Sequence, residues 1–551
     1  MVVAAWGYLW VIVQNVESTA DKPGGRSGWG GVWAAVVIGM LVFGLRLPIW
    51  GLAGGGTDGD MGGWGTYIYD DVPIAREDPR LGVPSMWGTI WTRDYNFDVR
   101  LDDGSVDNLY RPLVSMSFAL QVFVHGHVPG LMHFVNLLIY GLCCGLVARL
   151  GQLVGGDRVG WLAGIWFAVH PIHSEAVCAI VGRAELMATA GLVGALVLFL
   201  GGELRAGRVL GVTCSGILAL LSKEQGMLLP GLLLLAEPVR RMRGGKYDNG
   251  WKGLVAGVCF VVGGYIVLRE QVLELKFWWD RSFLDPAVQP MVWSTGWDRW
   301  LMPVALLGRA TGQLLVPWDL SLDYSGRAIG WTVFLADWRL WLGFVTLLAG
   351  VVGMSWAVWR RRWGVVLGLG GLGLMWGVVG NAVSLIGVNY AERLLFLPSV
   401  FAALLVGIGM QRWKWGVCVV GVWCVGMAVW AAAYATRWGD REGFYAYSLT
   451  RQPNSIRLHQ LLADELTKRG AYDEAAEIAA RGCAVLPEYY AIWTQAGLIA
   501  EKRGRPEEAE KFYERAVQAD VRMGSGAMTD FRSRREAAGN AKLHEDNLGK
   551  P

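Results

Sequence analysis

Charge is scarce in this chain. Only 18% of its 551 residues are Asp, Glu, Lys or Arg, against about 25% in a typical soluble domain. Hydrophobic residues make up 53%. That balance excludes an ordinary soluble protein and leaves room for one small soluble domain. Net charge is nearly absent as well: 50 basic groups stand against 47 acidic ones, for +3. No nucleic acid partner is expected from a chain so evenly charged. There are eight Cys but no Cys-x-x-Cys pair. Most of the Cys fall in apolar stretches, so small core hydrophobes are expected rather than a disulfide framework or structural zinc. No Walker A, Gly-x-Ser-x-Gly or dinucleotide fingerprint stands in a suitable context, which argues against a soluble nucleotide as fuel. The apolar N-terminus, Met1–Val16, lacks a basic leader and a cleavage site and does not read as a clean signal peptide.

What is present is a series of apolar runs. About 20 apolar residues cross a bilayer, and eleven spans are predicted, at 31–50, 130–150, 158–171, 178–201, 208–222, 226–238, 252–269, 339–359, 364–387, 394–411 and 415–435. The expected fold is therefore all-α and polytopic. Thirty Trp fit the same picture, since Trp favours the membrane interface. Two long loops, 51–129 and 270–338, interrupt the runs. Lys and Arg crowd the short loops of one side, among them Arg149, Arg158, Arg240, Arg241 and Arg360 to Arg362. By the positive-inside rule that side is cytoplasmic. Both long loops and the C-terminus then face outward. The apolar stretch 301–316 is expected to lie on the outer surface, because a crossing there would place Arg360 to Arg362 outside.

A few polar groups defy this pattern. His170, Pro171, Ile172, His173, Ser174 and Glu175 interrupt the apolar series. Polar side chains at such places are costly unless they line a cavity, so they mark a candidate site. Zinc ligation by His170, His173 and Glu175 is conceivable, but no third strong ligand has suitable spacing. A divalent metal is not favoured, and a polar cavity lining is expected. Asp70 and Asp71 form an acidic pair beyond an earlier apolar span. Two adjacent carboxylates at a low-dielectric mouth suit general-base work. Arg183, Lys223 and Arg393 are cations in outer turns otherwise nearly free of them. A negatively charged ligand, such as a phosphate, would explain them. Each has a local acid as an alternative partner: Glu185, Glu224 or Glu392. Arg111, His133 and Asn136 belong to the same face by topology.

Beyond Tyr434 the composition turns soluble. Gly470-Ala471-Tyr472-Asp473-Glu474-Ala475-Ala476 aligns with Gly504-Arg505-Pro506-Glu507-Glu508-Ala509-Glu510 at a period of 34. That is the tetratricopeptide (TPR) period, and it predicts a short α-solenoid over 437–524. The residues after it, 525–551, are polar and are expected to be disordered.

Taken together these segments resemble a known family, the TPR-containing transmembrane O-mannosyltransferases (TMTC), of the GT-C glycosyltransferase superfamily. The matching pieces are Tyr69-Asp70-Asp71, YRPLVSMSF at 110–118, HFVN at 133–136, FAVHPIHSEAV at 167–177, VGRAEL at 181–186, SKEQG at 222–226, LLVPWDLSLDYS at 314–325 and YAERLLFLPS at 390–399. The resemblance implies a cytoplasmic or interfacial segment at 1–30, a GT-C-like membrane domain at 31–436 and the TPR domain at 437–524. It implies transfer of mannose from a polyprenyl- or dolichyl-phosphate carrier to Ser/Thr of an exported protein. Asp70 or Asp71 would be the base, and Arg183, Lys223 and Arg393 would hold the donor phosphate. His133, Asn136, His170, His173, Glu175, Glu185, Glu224, Glu392 and Arg111 would line the cavity. The acceptor protein would bind the TPR repeats, which would be dispensable for chemistry on small peptides. The compact length suggests a bacterial inner-membrane protein with a periplasmic active site and C-terminus, or the ER membrane in a eukaryote. Other readings are a non-catalytic TPR scaffold anchored in the membrane and a transferase acting on an envelope glycolipid. A flippase would show repeated spans and broken mid-membrane helices, which the sequence does not offer.

Overall fold

A segment in lipid has no partner for its backbone N–H and C=O groups except itself, so apolar runs fold as helices. The computed structural model describes residues 29–44, 67–96, 109–244, 250–273, 284–285, 287–330 and 332–548. Most of the N-terminal segment 1–30 and parts of both long loops lie outside these. Counting helices of more than ten residues, the membrane part contains α1 Trp29–Gly44, α2 Pro112–His125, α3 Pro129–Gly155, α4 Asp157–Ala168, α5 Arg183–Leu200, α6 Ala206–Leu220 and α7 Leu229–Met242. It continues with α8 Gly250–Leu273, α9 Asp298–Leu315, α10 Trp338–Trp359, α11 Trp363–Val379, α12 Phe396–Met410 and α13 Gly416–Ala435. No strand occurs among the described residues.

Each of the eleven predicted spans contains a helix among the described residues, several of them shorter than the apolar run. Among the described residues six helical stretches are long and apolar enough to cross a membrane: α3, α5, α8, α10, the stretch Glu392–Met410 and the stretch Gly416–Gly439. The helix at 158–171 falls short because α4 has only 12 residues, which at about 1.5 Å each is well below the hydrocarbon thickness. The outer loop 51–129 is not plain loop either, since it carries α2 after a Pro at its first turn. The stretch 301–316 is α9. It buries Met302, Leu306 and Ala310 beside Tyr324 and Tyr390, and the Thr311 and Thr346 hydroxyls meet at 3.1 Å across α9 and α10.

α3 and α4 pack nearly backbone to backbone. A Cβ on Gly151 would sit 2.9 Å from the Gly160 Cα, so glycine at both positions permits the approach that small residues give membrane helices. α10 instead turns a large apolar face outward. Val345, Leu348 and Val351 are each more than 60% exposed, with Trp338 and Trp359 exposed at its two ends. Such a surface with Trp at both ends suits lipid.

The C-terminal array is α14 Arg441–Arg451, α15 Ile456–Lys468, α16 Tyr472–Val485, α17 Tyr490–Lys502, α18 Pro506–Ala519 and α19 Val521–Leu548. The pair α15 and α16 recurs as α17 and α18, shifted by 34 residues. Gly470 and Gly504 end α15 and α17 at φ +83° and +70°, with the paired hydrogen bonds of a glycine C-cap, Ala471 N–H to Leu466 C=O and Arg505 N–H to Ala500 C=O. Small buried residues, Ala475, Ala479, Ala496 and Ala509, let the hairpins stack. The expected disordered tail, 525–551, is helical as far as Leu548. Its Met528 and Phe531 pack against Tyr513, apolar anchors that the polar composition conceals.

The array does not stand apart. Its Ser448, Ser455 and Gln452 hydrogen-bond the segment 319–325 of the second long loop. Arg441 donates to the Tyr67 carbonyl at 2.8 Å. Leu320, Leu322, Phe444 and Ile456 share one apolar core with the membrane helices.

Candidate active site

The turn Tyr67–Asp71 leads into a one-turn helix, Val72–Arg76, opened by Pro73. Tyr69 sits at φ +58°, a left-handed conformation that costs a bulky residue energy and is held only where the surroundings demand it. Its hydroxyl donates to Asp323 at 3.3 Å. The strained turn sends Asp70 and Asp71 to different places. The Asp71 carboxylate is fully buried and accepts the Val181 and Ile68 amides at 2.9 and 3.2 Å. Burial pushes its pKa up to about 7, against the pull of those amide hydrogen bonds. Asp70 keeps 28% of its side chain exposed and lies 3.6 Å from the Arg393 guanidinium.

Arg393 is fixed from behind by Glu175. Its Nη1 reaches Glu175 Oε1 at 2.8 Å and its backbone N–H donates to Oε2 at 2.7 Å. Burial raises the Glu175 pKa while Arg393 pulls it down. Tyr69, Glu175, Asp323, Tyr390 and Arg393 line one small pocket. Beside it, Arg111 pairs with Glu224 at 3.1 Å, and Lys223 pairs with Glu185. Burial lowers the Lys223 pKa, and the nearby Arg111 and Arg393 charges push the same way.

Several predicted site residues are placed otherwise. Arg183 is fully buried. Its Nε donates to Asn136 Oδ1 at 2.8 Å, its Nη2 to the Met132 carbonyl at 2.9 Å and its Nη1 to the Ser117 hydroxyl at 3.2 Å. Its guanidinium also lies 4.4 Å over the Phe118 ring. That fork is spent on tying α2, α3 and α5 together. Asn136 is the other half of the same knot, donating to the Ala179 and Ile180 carbonyls. His133 is buried nearby on α3.

His170 and His173 are hydrogen-bonded between helices. Both are fully buried. His173 bridges the Tyr140 hydroxyl at 3.0 Å and the Ser399 hydroxyl at 2.8 Å, while His170 meets the Leu314 carbonyl at 3.0 Å. They join α3, α9 and α12 around Pro171. Glu392 is likewise buried, accepting from the Tyr324 hydroxyl and the Ser321 amide at 2.6 Å each. Among the described residues no group of three or more His, Cys, Asp or Glu could hold a metal ion.

Three residues escaped the sequence reading. Asp323 and Tyr390 lie within segments already singled out, LLVPWDLSLDYS and YAERLLFLPS. Arg457 carries no signal of its own. It belongs to the soluble array, yet its guanidinium lies 4.7 Å over the Tyr69 ring.

No known family's sequence profile matches the chain. The Mus musculus protein O-mannosyl-transferase TMTC4 is 23% identical over 476 residues, covering 74% of this chain and 62% of that protein. The Homo sapiens protein O-mannosyl-transferase TMTC1 is 35% identical over 128 residues, 22% of this chain and 14% of that protein. The crystal structure of ArnT from Cupriavidus metallidurans bound to undecaprenyl phosphate has 15% identity and a TM-score of 0.42, covering 89% of this chain and 80% of that one. The chain spans about three fifths of the length of the TMTC4 proteins it matches. Over about three quarters of its own length it is similar in sequence to the TMTC protein O-mannosyl-transferases.

Proposed function

We propose that the chain is a membrane glycosyltransferase that moves a sugar, mannose, from a polyprenyl-phosphate carrier to Ser/Thr hydroxyls of exported proteins. The observation that carries this reading is Asp70, a part-exposed carboxylate beside Arg393 at the edge of a polar pocket. Asp70 is the base in preference to Asp71, whose oxygens are occupied by backbone amides. The acceptor hydroxyl oxygen attacks C1 of the sugar, its proton passes to Asp70, and the C1–O bond to the phosphate breaks with inversion. The carrier leaves as a polyprenyl phosphate, its charge met by cations on the same face. Arg393 is the first of these, oriented by Glu175.

The similarity to protein O-mannosyl-transferases supports the sugar and the acceptor class. The charge asymmetry of the loops supports a periplasmic site in a bacterial inner membrane. The stacked hairpins of the C-terminal array support a TPR-type surface for the acceptor protein. The test is incubation of the purified chain with labelled polyprenyl-phosphate-mannose and a Ser/Thr-rich peptide. Label should appear in the peptide and vanish with Asp70→Asn. Unlabelled peptide with a folded wild-type protein would overturn the proposal.

A further inference from the structure

The first hairpin of the C-terminal array reaches the candidate active site. Ser455 caps α15, accepting the Leu458 amide while donating to Asp323 Oδ2 at 2.7 Å. Arg457 follows two residues on, its backbone N–H donating to the Ser325 hydroxyl at 3.2 Å. Gly326, at φ +60°, lies against Ile456, where a Cβ would come within 3.0 Å. This close seat holds the start of α15 over Tyr69. Tyr69 is sandwiched functionally: its hydroxyl is tied to Asp323 and its ring carries Arg457.

The two arginines near Asp70 differ in what they have left to offer. Arg393 has committed Nη1 and its backbone N–H to Glu175. The Arg457 guanidinium makes no hydrogen bond or ion pair among the described residues. Burial pulls its pKa down, but Tyr69, Asp70 and Asp323 around it outweigh that and leave it raised. A half-buried cation held by a ring face, with its planar fork unspent, is suited to bind a phosphate bidentately. The strain at Tyr69 then has a second use, because the same turn that places Asp70 also supports Arg457.

We infer that Arg457 is an anion-binding residue of the donor site, so that the C-terminal array completes the pocket for a phosphate group rather than serving acceptor proteins alone. This rests on the reading of the site as one that binds a polyprenyl-phosphate donor. It also reverses the expectation that the array is dispensable for chemistry on small peptides.

The test uses the full chain in detergent or nanodiscs. Binding of a polyprenyl phosphate, of the matching polyprenol and of inorganic phosphate is measured for wild type, Arg457→Ala, Arg457→Lys and the exposed-site control Arg515→Ala. Arg457→Ala should weaken polyprenyl phosphate binding about 10- to 100-fold, the loss of charge-assisted hydrogen bonds. Arg457→Lys should recover part of it, Arg515→Ala should match wild type, and polyprenol binding should not change. In transfer assays the donor KM should rise for Arg457→Ala even with a short peptide acceptor. Wild-type affinity in a folded Arg457→Ala would overturn the inference while leaving the donor reading intact. If that variant does not fold, wild-type affinity in Arg457→Lys overturns it equally. Wild-type protein that binds polyprenol as tightly as polyprenyl phosphate would overturn the donor reading and this inference with it. Tight, Arg457-dependent binding of inorganic phosphate with no gain from the lipid would keep the anion site and remove the lipid donor.

Discussion

Two polar clusters in this molecule behave oppositely. Around Arg183, Asn136 and Ser117, the guanidinium and amide donors all find protein acceptors. Around Asp70, Arg393 and Arg457, side chains are part-exposed and some hydrogen-bonding capacity is left over. Both look alike in the sequence, as charges among apolar spans. The difference lies in whether a group's capacity is spent on the fold or kept for a ligand. A buried polar group that is fully paired stiffens the structure, whereas an incompletely paired one at a pocket is available for chemistry.

Removing a working group from each cluster should separate them most sharply. Asp70→Asn should cut transfer by a factor of about 10²–10⁴, the usual loss on removing a general base, with an unchanged melting temperature in detergent. A variant that keeps wild-type turnover would dissolve the distinction. In the closed cluster, Arg183→Ala strands the Asn136 side-chain carbonyl oxygen. Each acceptor left unpaired costs about 1–3 kcal/mol, so the melting temperature should fall markedly while any folded fraction keeps its donor affinity. Loss of donor affinity at full stability would return Arg183 to the phosphate site.

The acidic pair divides along the same line. Asp71 has its folded pKa raised from 3.8 to about 7. Its protonated form is the one the fold favours, so its contribution is fully present below pH 3.8 and is lost as pH rises through about 7. Thermal stability should therefore fall between about pH 4 and pH 7 and level off above that, and Asp71→Asn should flatten that slope. A slope that persists in the variant assigns it to another group. The smallest effect belongs to the histidine knot. Ser399→Ala removes one partner of His173 and should cost about 1 kcal/mol with little change in turnover, checked by melting and transfer assays side by side. A large loss of turnover would place His173 in the chemistry after all.

Much was legible without the fold. The positions of all eleven apolar helices follow from runs of apolar residues, because lipid allows a backbone no other partner. The two-hairpin array follows from a 34-residue period with glycine at fixed places, since Gly470 and Gly504 are needed at positive φ. Span lengths were less legible: Pro171 marks a break, but hydropathy alone does not say where an apolar helix ends. The tail beyond 525 was misread because two apolar anchors, Met528 and Phe531, suffice to dock a polar helix.

The sequence by itself determined that this chain is helical, that it carries helices apolar enough to cross a membrane, and that an acidic pair and a set of out-of-place cations interrupt its apolar runs. Those properties depend on composition and local pattern. Only the tertiary structure decided which of the polar groups are free. Asp70 and Asp71 are neighbours in sequence, yet a single strained residue turns one to the pocket and the other into backbone amides. Arg183 and Arg393 look equivalent in sequence, yet one closes a helix junction and the other faces Asp70. Arg457 lies far along the chain in a soluble repeat and reaches the site only through the docking of one helical hairpin onto the second long loop. Pairing of this kind depends on distances between segments hundreds of residues apart, and no local pattern encodes it.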